Sequence, residues 1–300
     1  MEDEAQPMPH KNFQILLIGG SGQIGQALRK LEWPNGVKLI YPKSTALDIS
    51  SADKCRDFLR DHNWAAIINC AAYTAVDRAE MERSKAFNIN AQGAGFLADF
   101  AEEARIPLIH LSTDYVFDGS KSGWYHEEDL INPINTYGAS KASGEIAVRF
   151  INPSSLILRT SWVYSRTGNN FLNNIRKLSE EKTKLNIIYD QIGCPTSATD
   201  IANAIKIITM KKIKYNEEIF GIYHLANSGS TSWFNLAKTY FDIFKDGNII
   251  IPEIMPVSSS EYKSLAKRPL NSKLSTDKIS RNFGIRLRHW EVALKETFYG

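Results

Sequence analysis

Tyr137 and Lys141 stand four residues apart, and of all the pairings in this chain theirs suggests chemistry most directly. The segment 137–150 carries Ala139, Ala142, Ile146, Ala147 and Phe150 at helical spacing, so it reads as a helix with the phenol and the ammonium on one face. An ammonium beside a phenol favours the phenolate, and a group that ordinarily titrates near about pH 10 can then exchange a proton closer to neutrality. Upstream, the run 106–111 is apolar and reads as a strand delivering Ser112 and Thr113 to its end, where a hydroxyl can hydrogen-bond a substrate carbonyl. The same spacing also describes a helix start with a solvated lysine, so the surrounding elements must decide.

Those elements begin with 14–18, a wholly apolar run of the kind that fills a parallel sheet covered on both faces. A turn follows with Gly19, Gly22 and Gly25, and Gln23 and Ile24 sit inside it where a helix starts. Three glycines let the chain turn tightly, admit a pyrophosphate to the helix N-terminus and bring helix close to strand, which assigns this turn to a dinucleotide cofactor. The second strand, 37–41, ends in Lys43 and Ser44 rather than in an acidic residue for the ribose hydroxyls. A lysine and a serine suit a 2'-phosphate, so the expected cofactor is NADPH, with NADH left open. Asp48, beside Ile49, serves the adenine or caps the next helix. Past a helix at 52–62 and a strand at 65–69, the small Ala71 and Ala72, followed by Tyr73, let a cofactor lie against the backbone. Asn90, on a small and apolar helical face, must use its amide, either bridging backbone and water near Lys141 or bonding another helix.

The ordered set Gly19-x-x-Gly22-x-x-Gly25, the run 69–80, the run 112–117 and Tyr137-Gly138-x-Ser140-Lys141-x-x-Gly144-Glu145 resembles the extended short-chain dehydrogenases/reductases. More narrowly it is similar to the dTDP-4-dehydrorhamnose reductase family, and the likeness continues through 159–164, 168–171, 190–196 and 268–274. The resemblance implies NADPH-dependent reduction of the C4 keto group of a dTDP-linked ketosugar. Tyr137 would donate the proton, Lys141 would hold the nicotinamide ribose and lower the tyrosine pKa, and Thr113 would supply the catalytic hydroxyl, with Ser112 the lesser choice. Thr74, Val76, Asp114, Tyr115 and Trp162 would line the sugar pocket, and Arg268 with Asn271 would meet the nucleotide phosphates and base. Relatives bind magnesium through glutamates at a dimer interface, but Ala27 and Thr199 occupy those places, so no metal is expected and the chain is expected to be a monomer or weak homodimer. Two other readings remain open: another nucleotide-sugar epimerase or 4-ketosugar reductase, and a non-catalytic subunit like the regulatory subunit of methionine adenosyltransferase.

The expected fold is therefore α/β, a Rossmann-type doubly wound parallel sheet with a smaller C-terminal α/β substrate domain. Residues 13–165 form the cofactor domain and a segment near 200–228 returns to it, while 166–199 and 229–300 form the substrate domain. Later elements read as helices at 170–182, 199–210 and 232–244 and strands at 185–189 and 221–225, with 211–218 a solvated turn and 253–277 a mobile loop. Residues 1–12 read as a disordered tail without the apolar core of a signal peptide. Three scattered cysteines, Cys55, Cys70 and Cys194, fit a reducing compartment, and the expected location is the cytoplasm. A net charge of +3 with dispersed basic residues gives no case for nucleic acid or a membrane surface as partner.

Overall fold

The computed structural model describes residues 12–60, 62–215, 219–244 and 250–299, so the expected tail lies, except for Asn12, outside the described residues. The chain opens with β1 (Phe13–Ile18), α1 (Gln23–Lys30), β2 (Val37–Ile40), α2 (Ala52–Arg60) and β3 (Trp64–Asn69). Short helices α3 (Val76–Ala79) and α4 (Arg83–Phe87) run through a π-helical turn, Asn88–Gln92, into α5 (Gly93–Glu103). Then come β4 (Leu108–Thr113), α6 (Thr136–Ile151) and β5 (Leu156–Thr160). Together with a later strand, 221–224, these strands form one parallel sheet in the order β2-β1-β3-β4-β5 and then the later strand. Both faces of the sheet are covered, which is why its strands are apolar without alternation. Ile15 and Leu17 belong to one buried cluster and Leu16 and Ile18 to the other, and all four are essentially inaccessible. Each such side chain contributes roughly 1.5–3 kcal/mol by leaving water.

The C-terminal half adds β6 (Val163–Tyr164), α7 (Phe171–Glu181), β7 (Lys184–Ile188), β8 (Ile192–Gly193), β9 (Thr196–Ser197) and α8 (Ala198–Tyr215). It continues with β10 (Gly221–His224, the sixth strand of the large sheet), β11 (Thr231–Ser232), α9 (Trp233–Ile243), β12 (Glu253–Val257), α10 (Asp277–Phe283) and α11 (Trp290–Tyr299). Three two-stranded pairs, β6 with β9, β7 with β12 and β8 with β11, replace a second large sheet. Their core is aromatic, built from Tyr164, Tyr240, Phe241, Trp290 and Phe298 with Leu172, Leu185 and Leu236.

Three expectations need correction. Helix α8 runs on through 211–215 because Ile213 still packs on the sheet's core, while 216–218 lie outside the described residues. The expected loop at 253–277 starts as β12, paired in parallel with β7, and its remainder is tied down at Ser259, Ala266 and Arg268 by Asp190 and Asp77. The expected substrate segment 229–300 is divided: Ile279, Phe283 and Ile285 join the core of the large sheet, and Trp290, Leu294 and Phe298 join the aromatic core.

Candidate active site

The order of the large sheet reverses beside β1, so β2 follows on one side and β3 on the other. In open parallel sheets the crevice at that point, beyond the strands' carboxyl ends, takes the ligand. Gly19 follows β1 with φ at +79°, and an added Cβ would lie 2.5 Å from Ala71 N, just past β3. A Cβ on Gly25 would collide with the Gly19 carbonyl oxygen, so the turn and the first turn of α1 touch through bare backbone. Gly22 caps α1 with no side-chain hydrogen bond, leaving backbone N–H groups at the helix start for an anion. These features fit a dinucleotide pyrophosphate. Ile24 packs on the core, whereas the Gln23 side chain turns away from the turn: its Oε1 accepts from Ser165 Oγ at 2.9 Å and Asn170 Nδ2 at 2.8 Å. Gln23 thus fastens the turn to the second half of the molecule.

Lys43 and Ser44 are exposed just past β2, close in sequence to the buried Ile49. Asp48 accepts from the backbone N–H and hydroxyl of Ser50, and those bonds hold its carboxyl below the ordinary range. Asn90 is buried, with Oδ1 accepting from Tyr73 N at 2.8 Å and Nδ2 donating to Tyr73 O at 3.1 Å and Ser140 Oγ at 2.8 Å. Of the two roles open to this amide, the structure shows bracing: it fixes the chain after Ala71 and Ala72 against α6. A Cβ on Gly144 would strike Asn90 O, so this crossing is also as close as backbones allow.

Helix α6 begins where Asn135 Oδ1 accepts from Gly138 N at 2.7 Å, which puts Tyr137 in its first turn and Lys141 one turn deeper. Tyr137 is half-buried and meets Tyr115 edge-on, ring centres 5.9 Å apart, and it exchanges a side-chain hydrogen bond with Thr113. Thr113 Oγ1 in turn donates to Asp114 Oδ1 at 3.0 Å, and Ser161 Oγ donates to Asp114 Oδ2 at 3.0 Å. Burial pushes the Asp114 carboxyl up to about 6 against these bonds. Asp114 therefore sits beneath the pocket rather than lining it. Ser112 is further removed still, donating to Glu145 Oε1 at 2.5 Å. Glu145 is itself paired with Arg159 at 2.7 Å, and both side chains are buried.

The expectation that Lys141 loosens the phenol is not met. Burial pushes Tyr137 up to about 12, partly opposed by the Thr113 bond, so it is a protonated acid at neutrality. Lys141 is buried, donates to Leu111 O at 2.6 Å and lies 3.3 Å from His110 Nε2. Burial draws its amine down to about 8, against the raising influence of Glu145 and Cys70. Asn69, Glu145 and Arg159 stand in the motifs that carry the resemblance, but the sequence reading gave neither them nor His110 a role, although a histidine inside an apolar strand is a visible signal that something polar lies beneath.

On the far wall, Thr74 is exposed and Val76 half-buried at the start of α3. Trp162 holds φ at +45°, a costly conformation for a residue other than glycine, and its indole lies flat on Trp233 with ring centres 3.4 Å apart. Arg268 grips Asp77 with Nη2 2.7 Å from Oδ2 and also bonds Tyr115. Asn271 spends Nδ2 on Lys121 O and Gly123 O, so its amide anchors the loop 121–123 and has no N–H to offer a base. Ala27 packs on the core and Thr199 is exposed, and among the described residues no group of three or more His, Cys, Asp or Glu could hold a metal. Also among the described residues, no helix is long and apolar enough to cross a membrane.

A phosphate-admitting turn at the switch point, with a buried Tyr/Lys helix along the neighbouring strand ends, defines an extended short-chain dehydrogenase/reductase. The family model for the RmlD substrate binding domain matches residues 13–299. The dTDP-4-dehydrorhamnose reductase of Sinorhizobium fredii (strain NBRC 101917 / NGR234) is 42% identical over 288 residues, 96% of this chain and 97% of that protein. Crystal structures of dTDP-4-dehydrorhamnose reductases from Clostridium acetobutylicum and, in complex with NADP, Bacillus anthracis superpose with a TM-score of 0.88 each, at 33% and 34% identity. Each alignment covers 96% of this chain and 99% of the other. The chain belongs to the dTDP-4-dehydrorhamnose reductase family.

Proposed function

We propose that this protein reduces the C4 keto group of dTDP-4-dehydro-L-rhamnose to give dTDP-L-rhamnose, using NADPH. The observation that carries the reading is the hydrogen-bonded pair Thr113 and Tyr137 at the carboxyl end of β4, beside the crevice fed by the glycine turn. When bound, NADPH supplies the hydride to C4 of the sugar. Tyr137, held as a protonated acid, gives its proton to the C4 oxygen as negative charge grows there, and the Thr113 hydroxyl orients that oxygen. Lys141 in its ammonium form offers donors to the nicotinamide ribose. The backbone turn 19–25 receives the pyrophosphate, Ala71 and Ala72 leave room beside it, and Lys43 with Ser44 meets the 2'-phosphate in place of a ribose-binding carboxylate. NADPH use is supported by the NADP complex of the Bacillus anthracis relative.

Thr74, Val76, Tyr115 and Trp162 wall the sugar, and Arg268 swings between Asp77 and the diphosphate, to which its fork is suited. Asn271 contributes by holding the loop 121–123 in place. The test is to mix the protein with dTDP-4-dehydro-L-rhamnose and follow the nicotinamide absorbance, with NADPH and NADH in parallel. Substrate-dependent oxidation of NADPH, lost in Tyr137→Phe, is expected. Absence of turnover with this sugar, or full turnover by the phenylalanine variant, would overturn the assignment.

A further inference from the structure

Asn69, the last residue of β3, and His110, inside β4, are cross-strand partners, and both are 1% exposed. The Asn69 amide has one orientation open to it, because Ala71 N–H donates to Oδ1 at 3.1 Å. Nδ2 must then point at His110 Nδ1, 3.0 Å away. A neutral imidazole has one donor and one acceptor nitrogen, so an Nδ1 that accepts leaves the proton on Nε2. Burial and the neighbouring Lys141 both drive His110 well below its ordinary range, which keeps it neutral. Its Nε2–H therefore faces Lys141 Nζ at 3.3 Å. An ammonium has only donors to present there, whereas a neutral amine has a lone pair.

We infer that Asn69 locks the tautomer of His110 and that His110 is a positioning residue, whose Nε2–H favours the neutral amine of Lys141 and so sets the pH above which Lys141 ceases to be an ammonium donor. The other titratable groups around Lys141 are Tyr137 and Glu145 on its own helix and Cys70 just past β3. Glu145 is already engaged by Arg159 and Ser112, and α5 and the π-helical turn that pack on α6 bury no titratable side chain. Of the other elements against α6, the turn 114–116 carries the buried Asp114, held by Thr113 and Ser161, while on α3 and α4 Arg78, Arg83 and Lys85 are exposed and Asp77 is paired with Arg268. Among the described residues, His110 is the buried side chain whose ring nitrogen meets Lys141 Nζ directly, at 3.3 Å, so its hydrogen bond selects between the two forms of the lysine. Lys141 also keeps a donor on Leu111 O at 2.6 Å, a bond either form can make.

The consequence for turnover rests on the function proposed above, but the lock itself does not, and the experiment separates them. In 15N spectra of the histidine-labelled wild-type protein, His110 is expected to show a protonated Nε2 and an unprotonated Nδ1, with the His110→Met variant identifying the signal. A protonated Nδ1 would overturn the inference without any variant needing activity. In lysine-labelled protein, the Lys141 amine is expected to titrate well below the other lysines. Its midpoint should rise by about one pH unit in His110→Met, the size of one neutral hydrogen bond. Asn69→Asp, which is isosteric and demands a proton on Nδ1, should move the His110 ring proton from Nε2 to Nδ1 in the same 15N spectra. A midpoint unchanged or lowered in His110→Met would refute the role, since a histidine that merely packs moves nothing and one that accepts from an ammonium moves it down. With NADPH and ketosugar, the alkaline limb of kcat should shift upward in step with the amine.

Discussion

The two halves of this molecule solve burial in opposite ways. Under the carboxyl ends of β3, β4 and β5, aliphatic strands enclose a set of charged and polar side chains: Lys141, His110, Asn69, Glu145, Arg159 and Asp114 are all at most 2% exposed. In the C-terminal half the hydrophobic core is built largely from rings, with Tyr240 packed edge-on against Phe241, Phe244 and Phe298 and Trp162 stacked on Trp233. Aromatic cores gain their stability from area and shape, whereas a buried polar set is stable only while each member keeps its partner. The first half is therefore the sensitive one, where a single atom replaced should cost more than a larger change in the second.

That contrast can be broken most sharply at Tyr137. Tyr137→Phe removes one oxygen and is expected to lower kcat about a thousandfold, within the usual range for a positioned acid, while NADPH binding measured by fluorescence persists. A loss under tenfold would mean the proton comes from elsewhere. Next in size is the ion pair beneath the site. Arg159→Met alone should destabilise the fold by about 3–5 kcal/mol in urea unfolding, because Glu145 is left buried without its cation, and Arg159→Met with Glu145→Leu should recover most of that. If the double variant is no better than the single, the pair contributes through packing alone.

A pH effect at Asp114 comes third. Its carboxyl sits at about 6 in the fold against the ordinary 3.8, so between those values the folded chain binds the extra proton. This group favours the fold below about pH 4, and the advantage is lost as the pH rises through about 6, a change on the order of 3 kcal/mol. Unfolding midpoints of Asp114→Asn should therefore gain on the wild type between pH 4 and pH 7. Parallel curves would show that the hydrogen bonds from Thr113 and Ser161 offset burial in full, and curves that diverge the other way that they outweigh it. The smallest effect belongs to the second half's clasp. Arg268 and Asp77 are 22% and 42% exposed, so Arg268→Gln should change stability by about 1 kcal/mol or less while raising KM for the nucleotide sugar. An unchanged KM would leave the arginine a purely structural tie.

The same division explains what could be read from the residues alone. The glycine turn, the strands of the large sheet and the helix bearing Tyr137 and Lys141 follow from local periodicity and turn chemistry, which parallel sheets buried on both faces display plainly. The polar set beneath the site depends on which strand ends become neighbours. Asn69 and His110 are 41 residues apart in sequence and meet only through the pairing of β3 with β4. Spacing suggested that the lysine would act on the tyrosine, but burial, which no local pattern encodes, sends Tyr137 and Lys141 in opposite directions from that expectation. Where the two halves meet, the roles of Asn271 and Gln23 were equally hidden, since each bonds across to the other half, to partners 148 and 147 positions away.

The indoles of Trp162 and Trp233 lie 3.4 Å apart and within 3° of parallel, one just past β5 and the other opening α9. Chromophores so close share their excited states, so the pair is a built-in optical ruler: a shift of these two parts of the chain against each other when a sugar nucleotide arrives would alter the coupling and register in the near-ultraviolet spectrum without any label.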